Sequence, residues 1–134
     1  MCTLPSGPET RGNLGYFGSS TGGATALVAA VELPQDAGAI VSRGGRPDLA
    51  GDALPKVHAP TLLIVGGNDD IVIELNERAR DQMRCEVKLE AIAGATHLFE
   101  ETGALEKVAN LASDWFVSHL AAKTTNVEGL MTKE

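Results

Sequence analysis

A serine set between glycines, where an apolar strand turns into a helix of small residues, constrains this chain more than any other feature. Residues 14–27 read Leu-Gly-Tyr-Phe-Gly-Ser-Ser-Thr-Gly-Gly-Ala-Thr-Ala-Leu. Within them Gly18-Ser19-Ser20-Thr21-Gly22 is a G-x-S-x-G pattern centred on Ser20. Such a turn holds its serine on a strained corner and pushes the hydroxyl out of the sheet. The pattern predicts that a Cβ at Gly18 or Gly22 would clash across the turn, and that Gly23 and Ala24 let the helix lie close to the strand. The same residues also read as a Gly/Ser-rich turn in which Ser20 or Thr21 caps the helix.

A serine hydroxyl needs a base, and the base needs an orienting acid. Pro60-Thr61-Leu62-Leu63-Ile64-Val65-Gly66-Gly67 is a continuous apolar run ending in glycines, which predicts a buried parallel strand. Asn68-Asp69-Asp70 follows it directly. Val87–Gly94 alternates with period two, and Ala95-Thr96-His97-Leu98-Phe99 lies beyond it. Asp69 and His97 therefore fall on loops at the carboxyl ends of strands, the edge where open α/β sheets build their sites. Asp69 is preferred to Asp70 as the acid, and both could instead cap the next helix. Asp48 is a reserve acid after the preceding strand. His58 lies at the wrong end of its strand and His119 late in the last helix, so both are weaker bases than His97.

These segments resemble an α/β-hydrolase of the dienelactone-hydrolase-like group. The match rests on Leu14–Gly23, Val41-Ser-Arg-Gly-Gly-Arg-Pro-Asp-Leu-Ala50, Pro60–Val72 and Gly94-Ala-Thr-His-Leu-Phe99, and covers roughly residues 13–120. The resemblance implies Ser20 as nucleophile, Asp69 as acid and His97 as base, with ester or lactone cleavage as the activity. Dienelactone hydrolases more often carry a cysteine nucleophile, so Ser20 points away from that substrate. Some relatives of the group are fused to a phosphoribosyltransferase, which nothing in this chain resembles.

The same resemblance makes the elbow come early. A complete domain of this kind has further strands before it. The chain reads as a truncated α/β-hydrolase fold, one minimal domain of about four mainly parallel strands alternating with helices. Strands are predicted at 14–18, 39–43, 61–66 and 87–93, and helices at 21–33, 73–84 and 103–121. Residues 1–13 read as a leader that could lie over the site, and 122–134 as a frayed tail. The first strand would then be an apolar edge, which invites pairing with another chain, so a homodimer built on that strand and the elbow helix is expected. The Thr21 N–H would be one oxyanion donor, and the second would have no evident source.

Arg43 and Arg46 sit on the loop after the second strand, at the catalytic edge. With Ser19 they are candidate substrate contacts, two guanidiniums suited to a carboxylate or phosphate. Alternatively they pair with Asp48 and Asp52 and hold the loop. The glycine loop could also cradle an anion without hydrolysis, though no lysine follows its glycines as in a P-loop. Two further features read as scaffold: a Glu74–Arg78 pair, and a last-helix stripe of Leu105, Val108, Ala109, Ala112, Trp115, Phe116 and Leu120.

Composition narrows the partners. Eleven basic against eighteen acidic residues leave a net charge of −7, unsuited to nucleic acid or anionic membranes. No run approaches membrane-span length and no signal-like apolar segment opens the chain. Cys2 and Cys85 stand alone and read as reduced thiols of a cytoplasmic protein. Three scattered histidines offer no metal site, and no cofactor is expected. The predicted ligand is a small-molecule ester.

Overall fold

Three mainly apolar segments and one alternating one, each too short for a helix and closed by glycine or a polar turn, become four parallel strands. The computed structural model describes residues 14–120, so the expected leader and tail lie outside the described residues. In chain order the elements are β1 (Leu14–Ser19), α1 (Thr21–Glu32), β2 (Ala37–Arg43), β3 (Thr61–Gly66), α2 (Asp70–Gln82), β4 (Val87–Ile92) and α3 (Ala104–Leu120). The sheet order is β1-β2-β3-β4, and every neighbouring pair is parallel. Ser19 pairs with Arg43, Arg43 with Ile64, and Gly66 with Ile92. This register brings the loops after β1, β2, β3 and β4 out at one edge.

Crossovers between parallel strands keep one hand, and a sheet added in sequence order therefore places its crossover helices on one face. That face packs Leu27 and Ala30 of α1 and Ala79 of α2 against Ile40, together with Leu54 and Val57. α3 follows the last strand and closes the other face with Val108, Ala112 and Trp115 over Val41, Leu62, Ile64 and Phe99. The central strands β2 and β3 are thus buried on both sides, as their mainly apolar sequences require. Trp115 also donates its indole N–H to Pro60 O at 3.2 Å, a core anchor as expected.

The structure departs from the sequence expectations at several places. β2 begins at Ala37, two residues early, because Leu14 of β1 pairs there. α2 begins at Asp70 and not at 73, with Asp69 as its N-cap. Residues Pro47–Lys56 form two 3₁₀ turns joined at Gly51, whose φ is +54°. Their polar, proline-bearing sequence concealed that Ala50 and Leu54 plug the α1 side of the core. In α3, Leu105 and Ala109 face solvent. The buried stripe is Ala104, Val108, Ala112 and Trp115, because the helix is rotated to follow the four- and three-residue spacing of these positions.

Among the described residues β1 has a single strand neighbour, β2. Its Leu14 and Phe17 remain 55% and 51% exposed. An open groove of ≈ 550 Å³ runs beside this edge, lined by Phe17, Gly18, Ser19, Gly22, Thr25 and Ala29 among others.

Candidate active site

The corner between β1 and α1 is strained at its serine. Ser20 has φ 53° and ψ −126°, a region that residues with a Cβ rarely enter and that persists only where the surroundings fix it. Small neighbours make the corner possible. A Cβ on Gly18 would run into the Gly22 carbonyl, and one on Gly23 into Ser42 Oγ of β2. The expectation for Gly22 is corrected: a Cβ there meets nothing within 4 Å. The tight approach falls one residue later, where the helix passes over β2. Ser20 is the N-cap of α1 but its side chain makes no capping hydrogen bond, so the hydroxyl is left for other partners. Thr21 is the first helical residue, where backbone N–H groups have no acceptor within the helix.

Ser20 Oγ lies 3.2 Å from His97 Nε2, across 77 residues of sequence. On the far side of the ring, His97 Nδ1 lies 3.3 Å from Asp69 Oδ2. That separation is within ion-pair reach, but its direction is not that of a hydrogen bond, and neither atom has another partner among the described residues. The His97 side chain is 42% exposed and that of Asp69 19% exposed, which leaves the imidazole open to solvent and the carboxylate sheltered behind it.

Two loops hold this pair in place. The turn after β3 is fastened to that after β4 by Gly67 N–H to Ile92 O at 2.8 Å and Asn68 N–H to Ala95 O at 3.0 Å. Within the His97 loop, Phe99 is buried with φ 57°, a costly conformation for an aromatic residue. Glu101 accepts from the Thr96 amide at 3.2 Å and the Thr96 hydroxyl at 2.9 Å. Hydrogen bonds from its own backbone, then from Thr96, hold the Glu101 carboxyl below its ordinary range. Sequence reasoning passed over Phe99 and Glu101 as loop supports. Phe99 was visible only as an apolar residue near His97, and Glu101 at a spacing that belongs to no regular motif.

The two arginines behave differently. Arg46 makes a bidentate pair with Asp48, Nε to Oδ1 at 3.0 Å and Nη2 to Oδ2 at 2.9 Å. This holds the Asp48 carboxyl below its ordinary range and keeps it on its own loop, so the structure does not bring the reserve acid to His97. Arg43 instead lays its guanidinium 5.4 Å from the centroid of the Phe99 ring. It has no carboxylate partner among the described residues. Ser19 ends β1 beside Arg43 and lines the open groove. Asp70 is exposed at the start of α2 and His58 is exposed. His119 stacks on Trp115 and reaches Glu86 at 3.4 Å. Among the described residues no group of three or more His, Cys, Asp or Glu side chains could hold a metal. No helix among them is long and apolar enough to cross a membrane.

The fold agrees with what the chain is similar to. The profile of the dienelactone hydrolase family matches residues 3–122. The crystal structure of a dienelactone hydrolase from Anabaena variabilis ATCC 29413 is 60% identical, with a TM-score of 0.79. That match covers 81% of this chain and 50% of the other. A monoacylglycerol lipase from Paleococcus ferrophilus shares the fold at 18% identity and TM-score 0.64, over 78% of this chain and 68% of the lipase. Two curated proteins of Mycobacterium tuberculosis, from strains CDC 1551 / Oshkosh and ATCC 25618 / H37Rv, carry the name phosphoribosyl transferase. Each is 57% identical over 118 residues, which is 87% of this chain and 27% of theirs. The chain thus spans about half of the similar hydrolase and about a quarter of these curated relatives.

Proposed function

The chain belongs to the dienelactone hydrolase family, and from that premise we propose that it is a serine hydrolase of short-chain carboxylic esters. Its 60%-identical neighbour is named a hydrolase. The observation that carries the finer reading is the 3.2 Å contact between Ser20 Oγ and His97 Nε2, with Asp69 behind the ring. The name phosphoribosyl transferase belongs to proteins of which this chain spans 27%, and the serine–histidine contact favours hydrolysis for the shared part.

In this reading Ser20 Oγ attacks the ester carbonyl carbon as His97 Nε2 takes the hydroxyl proton. Asp69 favours the tautomer with the proton on Nδ1 and stabilises the imidazolium. The tetrahedral intermediate collapses, the C–O bond to the alcohol breaks, and His97 returns the proton to the leaving oxygen. Water then repeats the sequence on the acyl-enzyme and frees the acid and Ser20. The Thr21 N–H, at the positive end of α1, faces the developing oxyanion. Arg43 and Ser19 are the nearer candidates for substrate contacts, since Arg46 is occupied by Asp48.

The site lies open at the sheet edge, which favours small acyl groups. Rates on p-nitrophenyl acetate, butyrate and dodecanoate test the reading. The expected result is a burst of p-nitrophenol, acylation of the peptide that carries Ser20, and falling kcat/KM from butyrate to dodecanoate. A preference for dodecanoate would overturn the substrate class, and absence of any turnover would favour a catalytically silent domain that needs a partner chain. Among the described residues β1 pairs with β2 alone, which supports that second reading.

A homodimer through β1 and α1 is part of the same proposal. The groove residues Phe17, Gly18, Ser19, Gly22, Thr25 and Ala29 are uncharged, so two copies carrying −7 each meet there without like charges in contact. Sedimentation velocity should show a dimer that Phe17→Asp dissociates. A folded, fully active monomer in the unsubstituted protein would refute it.

A further inference from the structure

The strained main chain of Ser20 must be held by something, and three hydrogen bonds converge on it. Its N–H donates to Arg43 O at 3.2 Å, and its carbonyl accepts from Gly23 N–H and Arg46 N–H, each at 3.1 Å. Two of the three partners belong to residues 43–46, where the chain leaves β2. One support of this segment is a backbone bond from Gly44 N–H to Ile64 O at 2.6 Å.

The other support is a side chain. Asn76, in the middle of α2, is fully buried. Its Nδ2 donates to Gly45 O at 3.1 Å and to Val72 O at 2.8 Å. Its Oδ1 has no partner among the described residues. Burying a carboxamide with one end unpaired is unfavourable, and an apolar residue in this place would avoid the penalty. Val72 O is already the ordinary acceptor within the helix, four residues back. The bond that distinguishes Asn76 is therefore the one to Gly45. Gly45 itself has no slack, because a Cβ there would overlap Ser42 Oγ and come 3.3 Å from Ser20 O.

We propose that Asn76 is a positioning residue for the nucleophile: it fixes Gly45, which sets the Arg46 amide against the Ser20 carbonyl and keeps Ser20 in its positive-φ corner. The inference rests on Ser20 being the nucleophile. It also gives α2 two tasks, since Asp69 stands at the N-cap position of the same helix. A shift of the 43–46 segment would move Ser20 Oγ relative to His97, and misplacement of about 1 Å can lower a rate about 100-fold.

The test uses p-nitrophenyl acetate kinetics and fluorophosphonate labelling of the wild type, Asn76→Leu, Asn76→Asp and Val57→Ala. Val57 is buried in the same core, before β3, and controls for general loss of stability. At a temperature where all are folded, Asn76→Leu should lower kcat about 10-fold or more, with KM within about twofold. Val57→Ala should leave kcat within about twofold even where it lowers Tm as much. Asn76→Asp keeps the shape, and its protonated carboxyl can donate to Gly45 O where its carboxylate cannot. Its kcat relative to wild type should therefore rise as pH falls, a response that lost packing alone would not give. If Asn76→Leu does not fold, Asn76→Asp carries the test. Folded Asn76 variants with wild-type kcat at every pH would overturn the proposal. A wild type that neither turns over nor labels would instead overturn Ser20 as nucleophile, and this inference with it.

Discussion

Ser20→Ala is expected to lower kcat on p-nitrophenyl acetate and butyrate by about 10⁴–10⁶, while the protein keeps its fold. The two halves of this expectation have separate causes. The hydroxyl is the atom that would form the acyl bond, and it sits against the one histidine placed to take its proton. No other serine among the described residues is hydrogen-bonded to His97. Stability should change little, because the hydroxyl makes no capping bond to α1. Alanine carries a Cβ as serine does, so the backbone strain at φ 53° is the same in both proteins. What remains after substitution is the contribution of the Thr21 amide and of ester binding, which position and polarise the carbonyl without a nucleophile. Equal turnover in the two proteins would assign the activity to another group and leave the elbow as a structural corner. Circular dichroism and Tm, measured alongside, separate lost chemistry from lost fold.

Much of this arrangement was legible because it rests on local rules. The run Thr61–Gly66 is apolar at nearly every position because β3 is buried on both faces. Ser20, Asp69 and His97 could be placed at one sheet edge because each follows a strand, and parallel strands share a direction. Features set by distant contacts were not legible. The 3₁₀ turns of residues 47–56 exist because Ala50 and Leu54 find the α1 side of the core, which no local pattern announces. The close approach expected at Gly23 is there, over Ser42 of β2, but the clash expected at Gly22 is not, because that position opens away from the turn. The choice between binding and bracing for the two arginines depended on reach: Arg46 meets Asp48, and Arg43 meets Phe99, 56 residues away. Asn76 was invisible in sequence, since a polar residue on an amphipathic helix is ordinarily solvent-facing.

Asp69→Asn and Asp48→Asn should separate cleanly, although both aspartates follow strands at the same edge of the sheet. Asp69→Asn is expected to lower kcat by roughly 10³–10⁴, as in a serine-protease triad whose acid is replaced by its amide. The amide presents a donor as well as an acceptor to Nδ1, so it no longer selects the tautomer that leaves Nε2 free to accept the Ser20 proton. It also withdraws the negative charge that stabilises the imidazolium. Asp48→Asn should leave kcat within about threefold, because Asp48 is bound to Arg46 and does not reach His97. Its effect belongs to stability and to acid pH. The native carboxyl is held below its ordinary value by the Arg46 hydrogen bonds. Its contribution is therefore present above about pH 4 and is lost as pH falls through the lowered native value. A Tm series from pH 7 to pH 3 should show Asp48→Asn less stable than wild type at the upper end and converging with it at the lower. The offset should be small, since the Arg46 and Asp48 side chains are 39% and 25% exposed and solvent screens the pair. If Asp48→Asn proved the more damaging to kcat, the acid would have to reach His97 by a rearrangement of residues 46–48, and the contact between Asp69 and His97 would be incidental to turnover.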